Sequence, residues 1–435
     1  MPLSSLLDWR LHALVVVTAL LSEFIGIQRL PLGPGTLLLL PLFYAFILGV
    51  LLNPNVTRTA GRFVPARVSH AAGPLILLSI MPFIARFGST IGPAIEDLID
   101  AGPALILQEL GNLGTMLIAM PLAVLVFKMG REAIGATYSI AREPNIAVIS
   151  DKYGLKGPEG VGVMGTYVVG TMFGTLWFAL MAGYLTSLEL FDPRALAMAC
   201  GVGSGSMVAA CSAAIAGTLP ELKEELLAFA GASNLMTYAT GLYLSLFIAL
   251  PLAEKLYGLL SGKRRVHAVG AQVTGAPSVD DTSNGAPQEE RPERDLPKTA
   301  LAMAAACAVG WVANTVNGTD LLTALPGMLI LYAMTMIGLV ITRFAPFYLP
   351  GVAWVSLVSI VMTLPWFPGN AWLTEQLAAV NFLAIVTPVL AYAGLALTPR
   401  ELGMFRQAGW KLVIIAMLVF TGTFLASALI ADLLL

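Results

Sequence analysis

The chain has 435 residues, of which 57% are hydrophobic and 11% charged, with a formal net charge of −2 and a mean hydropathy of +0.82. A soluble domain carries about 25% charged residues, so an ordinary soluble enzyme or a nucleic-acid-binding domain is excluded, and repeated apolar runs long enough to cross a bilayer indicate an all-α polytopic membrane protein. Cys200, Cys211 and Cys307 are odd in number and lack paired spacing, and His12, His70 and His267 lie far from any thiol or carboxylate cluster. Neither a disulfide framework, a zinc site nor another metal centre is expected.

Asp8, Arg10 and His12 precede the first apolar run without a small-residue cleavage motif. Residues 13–30 therefore read as an uncleaved first span containing Glu23. A turn at 31–35 leads to a second span over 36–52, followed by a polar stretch with Arg58, Arg62 and Arg67. The third span starts near residue 71, contains Arg86 and fades into an acidic segment with Glu96, Asp97 and Asp100. The fourth covers 103–127, with Gln108, Glu109 and Asn112 on its early turns. A polar, cation-rich segment fills 128–159 and reads as an amphipathic cytoplasmic helix. The glycine-rich fifth span covers 161–185, and a later one covers 226–256 with Ser233, Asn234 and Thr237 near its start.

Residues 196–220 lie between those two spans. They are apolar, yet Gly201, Gly203, Gly205, Ser204, Ser206 and Ser212 interrupt them within a dozen positions. Glycine lets the backbone leave helical geometry, and irregular backbone at membrane depth survives only where protein or a water-filled cavity satisfies it. Either this is a broken or re-entrant segment lining a solute path, or its small residues serve close helix packing.

Residues 270–298 are rich in Pro, Gly, Ser, Asp and Glu and read as a disordered tether. Beyond it, candidate spans cover 299–316, 321–341, 347–366, 377–397 and 411–435. An amphipathic connector with Arg400, Arg406 and Lys411 precedes the last.

Short loops rich in Lys and Arg stay cytoplasmic. With the N-terminus inside, every span up to residue 185 obeys that rule. Were 196–217 to cross fully, Lys263, Arg264 and Arg265 would face outward; if it enters and returns, they stay inside and the C-terminus ends in the periplasm. Parity thus favours a re-entrant hairpin and a total of about eleven spans. The expected division is a first transmembrane helix over 1–32, a first repeat over 33–262 with the hairpin near 196–217, a cytoplasmic linker over 263–298 and a second repeat over 299–435. With the first span set aside, five spans before the linker and five after it, starting on opposite sides, form the pattern of an inverted repeat. No second glycine-serine hairpin is found in the second half.

Ionisable groups inside a membrane are costly and are candidates for function. Glu109 and Asn112, one turn apart on one face, could bind Na⁺ or carry a proton; a hydrated position at headgroup level is the alternative. Asn381 and Thr387, with Pro388 freeing a carbonyl one turn earlier, could ligate the same ion. Gly201, Gly203, Ser204, Gly205, Ser206 and Ser212, with the N–H groups of a half-helix start, could hold a carboxylate, and Asn234 and Thr237 could complete that site. Arg86 could face an anionic substrate, but is expected to snorkel or to pair with the acidic segment, and Glu23 to bond a helix neighbour. No arrangement of catalytic residues is evident, so an enzyme is not expected.

The segments GREAIGATYSIAREPN at 130–145, ACGVGSGS at 199–206 and AGASN at 230–234 resemble an uncharacterised family of bacterial inner-membrane proteins. That family is similar to the wider group of sodium/glutamate symporters and 2-hydroxycarboxylate transporters. Residues 396–411 also resemble the last connector of several members. The resemblance implies an elevator-type homodimeric carrier, with a scaffold domain, a moving transport domain, and a small anionic substrate held between hairpin tips. The implied coupling ion is Na⁺ or H⁺, and no other cofactor is implied. Known carriers bear a glycine-rich hairpin in each repeat, and here only 201–206 fits. Other readings are a proton-driven exporter of another metabolite and a non-transporting receptor or assembly protein, although the latter would call for a large extramembrane domain.

Overall fold

A computed structural model describes residues 6–57, 64–140, 143–154, 157–261, 296–317, 321–345 and 351–435. Most of the tether, with Arg58, Arg62 and Phe347, lies outside the described residues. Six of the described helices are long and apolar enough to cross a membrane, or seven if one bent pair counts as a span. The protein is thus a helical, multi-pass membrane protein.

The first helix, α1, covers Trp9–Ile25. The expected second span is shortened by strands β1 (Gln28–Leu32) and β2 (Gly35–Leu39), which pair antiparallel with Leu32 opposite Gly35. The two-residue loop is Gly33-Pro34, and Gly33 has φ 60°. A two-residue hairpin needs a left-handed first position, which glycine supplies, and the proline ring fixes the second. Only Pro41–Leu52 remain as helix α2.

Helix α3 (Ala66–Ile91) is followed by α4 (Gly102–Val126). In the middle of α4 the backbone tightens into a 3₁₀ stretch over Gln108–Leu113. The polar segment after it folds as two short helices, α5 (Glu132–Thr137) and α6 (Glu143–Tyr153), rather than one amphipathic helix. Arg131 bonds Glu159 there, and Tyr153 donates to Glu254. Helix α7 is Pro158–Ser187.

The glycine-serine stretch forms α8 (Pro193–Cys200) and α9 (Gly205–Thr218). Helix α10 (Lys223–Leu244) passes through a π turn (Ser245–Ala249) into α11 (Leu250–Ser261). Beyond the tether come α12 (Leu296–Ala313), α13 (Leu321–Phe344), α14 (Gly351–Thr363), α15 (Asn370–Ala378) and α16 (Phe382–Ala396). The last two meet at a 61° bend, so the second half does contain a broken helix, although not a glycine-serine one. The connector and the final span run on as α17 (Pro399–Asp432), broken at Gly409.

Helices α8 and α9 lie at the centre of the bundle between α7, α10 and α17. Residues 195–200 and 208–211 are fully buried. This position follows from their composition. Helices that are apolar on every side can only be stable where every side meets protein or lipid, and small residues admit close neighbours.

Candidate functional site

Cys200 and Cys211 are joined by a disulfide, with their Cα atoms 5.5 Å apart. This corrects the expectation drawn from their spacing: the fold, not the sequence interval, brings the thiols together. Eleven residues of continuous helix would separate the two positions by about 16 Å, so the chain reverses between them. The arms of eight and fourteen residues would each reach about 12 and 21 Å, short of the hydrocarbon thickness of about 30 Å. Residues 193–218 therefore form a helical hairpin whose tip is residues 201–204.

Helix α10 fastens that tip. Asn234 donates from Nδ2 to the carbonyls of Gly201 at 2.9 Å and Gly203 at 3.2 Å. Ser233 donates to the carbonyl of Met198 at 2.7 Å. A side chain at position 201 would place its Cβ 2.2 Å from Ser233 Oγ and 2.6 Å from the Asn234 backbone nitrogen. Only glycine permits this approach.

The same face of α10 reaches the 3₁₀ stretch of α4. Gln108 donates from Nε2 to Ser233 Oγ at 2.9 Å and to Glu109 Oε1 at 2.9 Å. Thr237 also donates to Glu109 Oε1. Asn112 donates from Nδ2 to Glu109 Oε2 at 3.1 Å. Helix α17 closes the other side, where Thr423 donates to Asn112 Oδ1 at 3.1 Å and Ser427 to the carbonyl of Gln108 at 3.0 Å. Gln108 is fully buried and Glu109 is 5% exposed. Glu109 is thus enclosed in protein rather than hydrated at headgroup level. The amide oxygen of Gln108 is buried without a hydrogen-bond partner among the described residues. A carboxylate beside an unused amide oxygen is a combination that can hold a proton or a hard monovalent cation.

The sequence-predicted residues fall into three places. Glu109, Asn112, Asn234 and Thr237 meet in this network, with Gly201 and Gly203 as its backbone acceptors. Ser204 and Ser206 lie at the start of α9, their hydroxyls 3.4 Å apart, and Thr175 donates to Ser206 at 3.2 Å. Gly205 opens that helix, facing Ile80 and Tyr238. Ser212 donates to the carbonyls of Val208 and Ala209 in its own helix, because it sits two turns from the tip. Asn381 and Thr387 belong to the other half. Asn381 accepts the Leu383 N–H at 3.0 Å, and Thr387 donates to Glu23 of α1. Arg86 pairs with Glu224 at 2.9 Å, not with the acidic segment at 96–100.

Gln108, Ser233, Thr423 and Ser427 complete the network and were not among the site residues expected from sequence. A signal existed for some of them: Gln108 and Ser233 adjoin predicted residues, and Thr423 and Ser427 share one face of a helix at i, i+4 spacing.

A family described as "Protein of unknown function (DUF3100)" matches residues 20–259. The chain belongs to the DUF3100 family. No curated protein and no solved structure matches it. The region matched to DUF3100 holds the hairpin, the 3₁₀ stretch of α4 and the asparagine of α10. Thr423 and Ser427 are contributed from beyond it.

Proposed function

We propose that this DUF3100 protein is a secondary active carrier of the bacterial inner membrane. It moves a small carboxylate-bearing solute, an organic acid or amino acid, coupled to Na⁺ or H⁺. The observation that carries this reading is the enclosed carboxylate of Glu109 bonded, through Gln108 and α10, to the tip of a hairpin too short to span. Intramembrane carboxylates mark ion paths, and discontinuous helices form the midplane sites of many carriers. The mid-helix 3₁₀ stretch beside Glu109 is a conformation that often marks a hinge. In this reading the hairpin is re-entrant, the chain makes about eleven crossings as inverted five-helix repeats, the N-terminus is cytoplasmic and the C-terminus periplasmic. An elevator-type movement in a homodimer, and kinship to sodium/glutamate symporters and 2-hydroxycarboxylate transporters, belong to the same proposal.

The test is uptake of radiolabelled carboxylates and amino acids into proteoliposomes under an imposed Na⁺ or pH gradient. One gradient should drive accumulation of one acid, and Glu109→Gln should abolish the response to that gradient while solute exchange between equal pools continues. Gradient-driven uptake that survives Glu109→Gln removes Glu109 from the coupling. No uptake of any acid under either gradient sinks the carrier reading.

A further inference from the structure

We propose that Arg86 is the residue that recognises the solute's carboxylate, and that Glu224 is a resident carboxylate occupying it until the solute arrives. The inference rests on the carrier reading above. Arg86 lies in α3 and its side chain is 3% exposed, whereas Glu224, in the first turn of α10, is 56% exposed. The cation is therefore fixed inside the protein and its partner stands at the rim, where it can turn into water at little cost.

The fit between the two is incomplete. Both oxygens of Glu224 converge on a single nitrogen, Arg86 Nη2, at 2.9 and 3.1 Å. Nη1 donates to Ser89 Oγ at 3.3 Å. Nε is buried without a hydrogen-bond partner among the described residues. Guanidinium binds a carboxylate best through two parallel N–H···O bonds, and a buried donor left unmade is costly. A carboxylate lying across Nε and Nη2 would satisfy the donor that Glu224 leaves unused. Tethered to the α10 backbone, Glu224 meets only one nitrogen; a free carboxylate has no such restraint.

Position agrees with the chemistry. Asn234 is the side chain that holds the hairpin tip. A solute seated on Arg86 of α3 would thus lie against α10, the helix that also ties the hairpin tip to Glu109.

The experiment measures the thermal unfolding midpoint of the purified full-length protein against acetate, succinate, citrate and L-glutamate. It compares wild type with Glu224→Gln and Arg86→Lys. A ligand bound to the native state raises the midpoint by mass action. If Glu224 occupies Arg86 about nine-tenths of the time, removing it lowers the half-maximal concentration about tenfold. Glu224→Gln should therefore unfold earlier without ligand yet respond to an effective acid at about one-tenth the concentration. A purely structural ion pair would give the first change without the second. Arg86→Lys keeps the charge but loses the fork, and should respond at least about tenfold more weakly. An unchanged half-maximal concentration in Glu224→Gln overturns the proposal even if the Arg86 variant does not fold. A wild-type response retained in Arg86→Lys overturns it while leaving the carrier reading standing. No response to any of the acids by wild type or Glu224→Gln overturns the proposal, while the carrier reading is decided by the uptake assay alone.

Discussion

Two of the helix breaks among the described residues are held by asparagine, but through opposite ends of the amide. At the first, between α8 and α9, the chain reverses and exposes carbonyls, and Asn234 meets them with its Nδ2 donors. At the second, between α15 and α16, the chain bends by 61° and exposes N–H groups. Asn314 Oδ1 accepts from the Asn381 N–H at 2.7 Å, and Asn381 Oδ1 accepts from the Leu383 N–H at 3.0 Å. The first break is tied by a neighbouring helix and a disulfide, the second by its own cap and one outside acceptor. In a membrane no water satisfies freed backbone groups. The polarity of each break therefore dictates which atom must face it, and the amide of asparagine offers both.

Exchanging amide for carboxylate is the strongest way to break this comparison. Asn234→Asp puts an acceptor against two buried carbonyls and should cost about 3 kcal/mol or more in unfolding free energy, read by denaturant unfolding in detergent. Asn381→Asp keeps the acceptor that the second break uses and should stay within about 0.5 kcal/mol of wild type, since Asp and Asn cap about equally well. Equal losses at the two positions would refute the assigned polarity.

The covalent tie comes next. Closing a loop of this size stabilises by about 3 kcal/mol in the chain-entropy view, so Cys200→Ala should lower stability by an amount of that order. Reductant should reproduce most of the loss in wild type and none in the variant. Gly201→Ala should cost about 1–3 kcal/mol through overpacking against Ser233 and the α10 backbone. The corresponding loss at the second break, Asn381→Ala, is about 1 kcal/mol.

The smallest effect concerns the outer end of α8, where Asp192 accepts from the Arg194 backbone N–H and guanidinium. Burial alone would raise its carboxyl, but these hydrogen bonds outweigh it and hold the group below the ordinary carboxylate range. A depressed carboxyl contributes stability above the unfolded-state value, and that contribution is lost as pH falls through the folded-state value. Wild type should thus lose a few tenths of a kcal/mol more than Asp192→Ala between neutral and strongly acidic pH. A parallel loss in both would remove the cap from the account.

The candidate site was legible in part. Glu109 and Asn112 stand out because a carboxylate and an amide in an apolar run have no cheap explanation, and Gly201, Gly203 and Asn234 because glycine and asparagine disrupt a helix. Their partners were harder to see. Ser233, Thr423 and Ser427 are ordinary in membrane helices, where hydroxyls bond their own backbone at i−4 as Ser212 does. Which of them turn outward depends on the neighbour they face. Residues 36–39 were missed as a strand because an apolar run reads alike in strand and helix, and the pairing with β1 decided between them.

By itself the sequence determined that this is a polytopic helical membrane protein, because apolar length and scarce charge act locally, residue by residue. It also marked where the first helix breaks, since glycine acts on its own backbone. Tertiary structure decided what those breaks meet. It joined Cys200 to Cys211 across a reversal, set Glu109 of α4 against Thr237 of α10, and turned Arg86 to Glu224, 138 residues away. Such contacts depend on the packing of whole helices, and no local pattern along the chain encodes which pairs will meet.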